Sequence, residues 1–144
     1  MDDVIGIDLG TRFSCVTIWR NKRFEIISDQ FGNRTIPSIV CFFNSIKLIG
    51  YNALVMKDID PLNTIFDIKR IIGRKGNDPI IDQIKKLVPY NLINDDNITI
   101  NINNKKIKPE EICAYILIEL KKMASNYLKK DITKAVITVP APKS

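Results

Sequence analysis

The stretch Ile5–Ser14, IGIDLGTRFS, decides how the chain begins. An apolar run is interrupted by one acid, Asp8, and followed at once by the small turn Gly10-Thr11 and a basic residue, Arg12. Val4 to Asp8 reads as a buried strand, and Ser14 to Trp19 as a second, rich in β-branched and aromatic residues. The polar turn RNKR then leads into a third short strand, Phe24 to Ile27, so the fold starts as an antiparallel meander. A strand that ends in a carboxylate, followed by a tight turn, brings backbone N–H groups close to that carboxylate. Such a site suits a metal–phosphate complex: the N–H groups and the Thr11 hydroxyl receive phosphate oxygens, while Asp8 holds Mg²⁺ directly or through its waters. Glycine at position 10 lets the backbone come close. Asp-x-Gly also makes ordinary turns, and these residues alone do not separate the two readings.

Working outward, SDQFGNRTIP is a loop by composition, SIVCFF a strand, and KLIG a short strand ending at Gly50. Tyr51 to Asp58 has helical character and stops before Pro61. NTIFDIKRIIG predicts a short helix capped by Asn63 or Thr64, with Ile65, Ile68 and Ile72 facing inward and Gly73 closing it. A small helix follows over Pro79 to Leu87. YNLIND, NITINI and KKIK then form a three-stranded meander with turns at Asp95-Asp96 and Asn103-Asn104. PEEICAYILIELKKMASNYLKK is the clearest helix. Pro109 suits its first position, Glu110 and Glu111 its positive end, and Lys129 and Lys130 its negative end. Ile112, Ile116, Leu120, Met123 and Tyr127 repeat at helical spacing, a stripe for core packing. KAVITVP closes the order as an apolar strand of the kind buried on both faces of a sheet.

A chain of 144 residues, 45% hydrophobic and 26% charged, is sized for one domain with a real core. There is no histidine, which excludes Ser-His-Asp and Cys-His catalysis and any histidine base or ligand. Chemistry must rest on carboxylates, lysine, backbone N–H groups or a bound ion. Cys15, Cys41 and Cys113 are odd in number, far apart and set in apolar segments, as expected for buried reduced thiols. The net charge of +6 is spread over helix faces, so no nucleic-acid stripe is expected. Neither a signal peptide nor an apolar run of about 20 residues occurs, so a cytoplasmic, non-membrane protein is expected. The sequons Asn33-Arg34-Thr35 and Asn97-Ile98-Thr99 then read as chance matches.

No G-x-x-x-x-G-K-[ST] loop and no G-x-G-x-x-G occurs. Aspartyl phosphatases carry D-x-D-G-T at a strand end, but here the nucleophile position is Gly6. The segments IGIDLGT, DQFGNRTIPS, NTIFDIKRIIGR, KPEEI and AVITVPA, in this order and spacing, resemble the start of the ATPase domain of the 70-kDa heat-shock chaperone family. The likeness runs from about Val4 to Ala141. IDLGT alone would also suit actin-like ATPases and sugar kinases; GNRTIPS with FDIKR is narrower.

The resemblance implies an α/β chain with the actin-like, ribonuclease H-like ATPase fold, of which only the first lobe is represented, with a small inserted α/β subdomain at about residues 37–108. The second lobe and the peptide-binding domain would be absent from residues 1–144. It implies ATP or ADP and Mg²⁺ as ligands. Asp8 would belong to the metal shell, Gly10, Thr11, Arg12 and Phe13 to the first phosphate loop, and Lys69 to the γ-phosphate and attacking water. Thr35 and Pro140 match positions tied to nucleotide sensing and to the relay toward the peptide-binding domain. Partners of the whole protein would be unfolded polypeptides, J-domain cochaperones and nucleotide-exchange factors. Without its further neighbours the last strand would leave a sheet edge open to self-association. The other reading is a non-catalytic remnant or interaction module that keeps the fold. Two departures stand out: Arg12 replaces the usual Thr or Ser, ahead of Phe13 rather than Tyr, and Pro142 replaces an aromatic residue.

Overall fold

The computed structural model describes residues 3–138. Strands β1 (Val4–Leu9), β2 (Phe13–Arg20) and β3 (Arg23–Ile26) form the expected meander. After the loop come β4 (Ile36–Pro37), β5 (Val40–Phe43), β6 (Ile46–Ile49), a single helical turn α1 (Tyr51–Leu54) and β7 (Thr64–Ile65). Next are α2 (Pro79–Leu87), β8 (Asn91–Asn94), β9 (Ile98–Ile102), β10 (Lys105–Ile107), the long helix α3 (Pro109–Leu128) and β11 (Lys134–Thr138).

The main sheet has the order β11-β1-β2-β3, with β4 on the end of β2 nearest the first turn. Its β1–β2 ladder pairs Ile5 with Ile18 and Ile7 with Val16, and all four side chains are buried on one face. That face receives α3, whose Ile112, Ile116, Leu120 and Met123 are buried as one stripe. Tyr127, expected in the same stripe, is 43% exposed, while Met123, Ala124 and Leu128 around it still pack on the core; the helix ends at Lys129 in a left-handed conformation (φ 56°). Lys130 then pairs with Asp3 and ties that end to the start of β1. Two small antiparallel sheets, β6-β5-β7 and β10-β9-β8, complete the architecture. The β9 isoleucines at 98, 100 and 102 share a buried face as expected.

Two segments differ from the helices expected of them. NTIFDIKRIIG is not helical at its start: Thr64 and Ile65 pair with Cys41 and Val40 of β5. The Thr64 hydroxyl donates to the Asp60 carbonyl at 2.8 Å instead of capping a helix. Asp67 turns left-handed (φ 58°), and only a 3-10 turn, Ile68–Arg70, follows. Ile71 is fully buried alongside Ile65 and Ile68, and Ile72, expected to face inward, is half-buried against the same core. Gly73 ends it with φ 78°. Tyr51 to Asp58 stays helical for one turn only; beyond Leu54 the N–H groups of Met56 and Lys57 reach back three residues rather than four.

β11 pairs with β1 in parallel, Val4 against Lys134 through Asp8 against Thr138. It was expected to be buried on both faces, yet all five residues are exposed, because among the described residues it is the sheet edge. The three cysteines are free; burial raises the thiol pKa of Cys41 and pushes that of Cys113 up to about 11.

Two outcomes test this packing. Ile116→Ala, at the centre of the α3 stripe, is expected to cost about 2–5 kcal/mol in urea unfolding. Acid is expected to loosen the 29–33 loop. Burial raises the Asp29 pKa, but bonds from the Asn33 side chain and the N–H groups of Asn33 and Phe31 outweigh it and hold it below the usual value. That contribution is present above the unfolded Asp pKa of about 3.9 and is lost as pH falls through the lower folded value. Protection of the Phe31 and Asn33 amides, taken as exchange relative to the intrinsic rate at the same pH, should therefore fall in acid for the wild type and already be low at neutral pH in Asp29→Ala.

Candidate phosphate-binding site

Side-chain parity along β1 determines what the site presents. With Ile5 and Ile7 turned to α3, Asp8 points to the opposite face and is exposed, between Cys15 of β2 and Thr138 of β11. Burial raises the Cys15 thiol pKa, and the adjacent Asp8 charge raises it further.

The turn Gly10–Arg12 is closed by a close approach that only glycine permits. A Cβ on Gly10 would sit 2.1 Å from the Phe13 carbonyl oxygen. Ser38, just beyond β4, straps this turn from outside. Its hydroxyl donates to the Gly10 carbonyl at 2.8 Å, and its N–H donates to the Arg12 carbonyl at 2.9 Å. Because the Ser38 hydroxyl proton is engaged on Gly10, the 2.8 Å contact with Ser14 has Ser14 as donor. Both serines are buried. The carbonyls of Gly10 and Arg12 are thus consumed from the protein side. The N–H groups of Thr11 and Arg12 make no hydrogen bond to any described residue. Thr11 is half-buried, Phe13 is half-exposed, and Arg12 is exposed without an ion pair among the described residues.

Lys69 lies on the 3-10 turn, half-buried and without an ion pair among the described residues, whereas Arg70 beside it reaches Asp67 at 3.8 Å. Ile68 and Ile71 anchor that turn in the core, and the Tyr90 hydroxyl donates to the nearby Phe66 carbonyl at 2.6 Å. The Lys69 charge is felt at Cys113 on α3, where it opposes the upward push of burial and of Glu110. No hydrogen bond or ion pair joins Lys69 to Asp8 among the described residues. Asp8 and residues 10–13 are gathered at one strand end, and Lys69 lies on the turn that packs against α3. Thr35 is exposed directly before β4, and Pro140 lies outside the described residues. Ser38 had no role assigned from sequence, although it sits in the stretch GNRTIPS.

Among the described residues no group of three or more Cys, Asp or Glu side chains could hold a metal. A lone carboxylate still fits Mg²⁺, which keeps several waters and takes one or two carboxylates plus phosphate oxygens. A cleft of about 620 Å³ lies elsewhere, between the 28–33 loop, Tyr51 and the C-terminal half of α3, and includes neither Asp8 nor Lys69.

The family model described as "Hsp70 protein" matches residues 4–142. The chain belongs to the Hsp70 family. A "Heat shock protein 70 homolog" of Acanthamoeba polyphaga mimivirus is 62% identical over 152 residues, covering 97% of this chain and 16% of that protein. A "Heat shock cognate 70 kDa protein 3" of Dictyostelium discoideum is 45% identical over 144 residues, covering 95% of this chain and 23% of that protein. The chain therefore spans less than a quarter of the length of either relative. The mixed sheet opening on an antiparallel meander agrees with the actin-like fold of that family. No helix among the described residues is long and apolar enough to cross a membrane.

The strap is open to direct test. Ser38→Ala removes the bond to Gly10 and leaves buried Ser14 without its acceptor, which should cost about 1–3 kcal/mol. Gly10→Ala should cost more, since its methyl group meets backbone rather than a movable side chain. Urea unfolding followed by Trp19 fluorescence measures both.

Proposed function

We propose that this chain is the opening part of the first lobe of an ATPase domain, and that Asp8, Gly10, Thr11 and Lys69 form one half of a clamp for Mg²⁺ and the phosphates of ATP or ADP. The observation that carries this reading is the strapped turn, with two N–H groups lacking acceptors at the end of a strand that also presents one exposed carboxylate. The Thr11 and Arg12 N–H groups and the Thr11 hydroxyl receive phosphate oxygens. Asp8 would hold Mg²⁺ through its waters, and Lys69 would bring positive charge toward the γ-phosphate and the attacking water. Mg²⁺, when bound, neutralises charge on the phosphates. Phosphoryl transfer asks for positioning and charge more than for covalent chemistry, so a site without histidine suffices.

In this reading residues of about 37–108 are an inserted subdomain. The grouping is supported by the two small sheets and α2, which fall inside that range while β1–β3, α3 and β11 lie outside it. The whole protein acts in the cytoplasm as an ATP-driven chaperone, a setting that three unbridged thiols favour. Its nucleotide state controls the grip on unfolded polypeptides, with J-domain cochaperones and nucleotide-exchange factors as partners. Thr35 and Pro140 serve in sensing and relay.

Half a clamp should bind weakly, with Kd on the order of 1 mM or higher for Mg-ADP, and should not turn ATP over. In amide NMR of the 144-residue chain, Mg-ADP is expected to shift Gly10, Thr11, Arg12 and Lys69 first, and Asp8→Asn to remove the Mg²⁺ dependence of those shifts. Tight binding, or shifts centred on the Asp29 cleft instead, would overturn the reading. Equal affinities for wild type and Arg12→Thr would mean that the Arg12 side chain stays in solvent.

A further inference from the structure

The segment that carries Lys69 has little to hold it locally. After β7 it turns left-handed at Asp67 (φ 58°), a conformation disfavoured for a residue with a Cβ, and then makes the single 3-10 turn Ile68–Arg70. A turn this short has no ladder of its own. The Asp67–Arg70 ion pair, partly exposed and 3.8 Å long, adds little. Burial of Ile68 and Ile71 fixes which face lies in the core, but not the tilt of the turn.

β8 supplies what is missing. Tyr90, directly before it, is buried, and its hydroxyl donates at 2.6 Å to the Phe66 carbonyl, in the peptide group that enters the left-handed residue. The rings of the same two residues meet edge to face, with centroids 5.5 Å apart. A phenylalanine could supply that packing; the hydroxyl adds a directional bond. Burial and the Asp67 charge raise the Tyr90 pKa above its usual value, so the group stays a donor. At the far end of β8 the Asn94 amide donates to the Gly76 carbonyl at 3.1 Å, and Asp82 and Lys85 of α2 hold that amide in orientation. Gly76 lies so near the chain leaving β8 that a Cβ would sit 1.7 Å from the Asp95 carbonyl oxygen. One short strand thus grips both ends of residues 66–76, with Lys69 between the grips.

We propose that β8 is a brace for Lys69 and that Tyr90 is a positioning residue. By holding the Phe66 carbonyl, it sets where the Lys69 ammonium meets the terminal phosphate, and so how far a triphosphate is preferred over a diphosphate. This role rests on Lys69 serving the γ-phosphate. A loose turn would carry the same charge but would have to be ordered at the moment of binding, which weakens the contact.

Titrations of the 144-residue chain with Mg-ATP and Mg-ADP, followed by amide NMR, give the ratio of the two dissociation constants. The wild type should favour Mg-ATP by about two- to fivefold, the range of a partly exposed charge pair. Tyr90→Phe keeps the ring and should bring the ratio to about one, by weakening Mg-ATP rather than Mg-ADP, with an unchanged far-UV circular dichroism spectrum. Lost stability alone would not move that ratio, and Ile84→Val, which loosens the packing of α2, should keep it. In a Lys69→Ala background, Tyr90→Phe should change the ratio no further. Without nucleotide, Tyr90→Phe should also lower the order of the Lys69 and Arg70 amides in backbone relaxation and spare those of β1 and β2. The brace fails, with Lys69 keeping its role, if Tyr90→Phe retains the wild-type ratio, if Lys69 and Arg70 stay as ordered as before, or if Ile84→Val loses the preference. A wild-type ratio of one, or a preference that survives Lys69→Ala, would overturn the phosphate role of Lys69 and the brace with it.

Discussion

The packing of Ile5, Ile7, Val16 and Ile18 against the α3 stripe is the constraint from which the remaining geometry follows. Strand side chains alternate, so a one-residue slip between β1 and β2 would turn four buried aliphatic groups out to water. Each fully buried group contributes about 1.5–3 kcal/mol, which makes the slip far costlier than any surface interaction could offset. Fixing that register fixes parity, and parity sends Asp8 to the face away from α3, where it is exposed. An acid facing α3 would need a buried partner. Facing solvent, it remains available as a ligand group, and the core that positions it contains no group of the site itself.

The strap at Ser38 adds a second constraint of a different kind. Ladder pairing brings Leu9 opposite Ser14 but leaves the path of residues 10–12 open. Ser38 closes that path by engaging the carbonyls of Gly10 and Arg12 together. A turn whose carbonyls are held inward leaves its N–H groups directed elsewhere, so the polarity of the loop suits an anion. The interaction joins residues 28 positions apart, so the first turn depends on the chain after the loop having returned beside β2.

That dependence explains which parts of the fold and site were legible in the sequence. β1, β2 and α3 carry their own periodicity, and the motif around Asp8 and Gly10 is local, so both could be read from neighbouring residues. The 63–73 segment misled because Ile65, Ile68 and Ile72 have helical spacing, whereas its start is set by Thr64 bonding back to Asp60 and by pairing with β5, a long-range partner. Ser38 was missed for the same reason: a serine following a proline carries no local signal for bonds to Gly10 and Ser14.

A parallel pair such as β1 and β11 is ordinarily covered on both faces, because parallel strands seldom face water. Here α3 covers one face, while Val4, Trp19, Phe24, Ile26 and Val136 are exposed. Register places these side chains on the same face as Asp8. The proposed phosphate site and these uncovered apolar side chains therefore share a surface. A segment that covered the apolar part of this face would also lower the dielectric constant around Asp8 and the turn, strengthening their hold on phosphate and metal charge. In this geometry, covering these side chains and strengthening the proposed site would be one structural event, and the turn without such a cover keeps its donors in place while leaving them to compete with water.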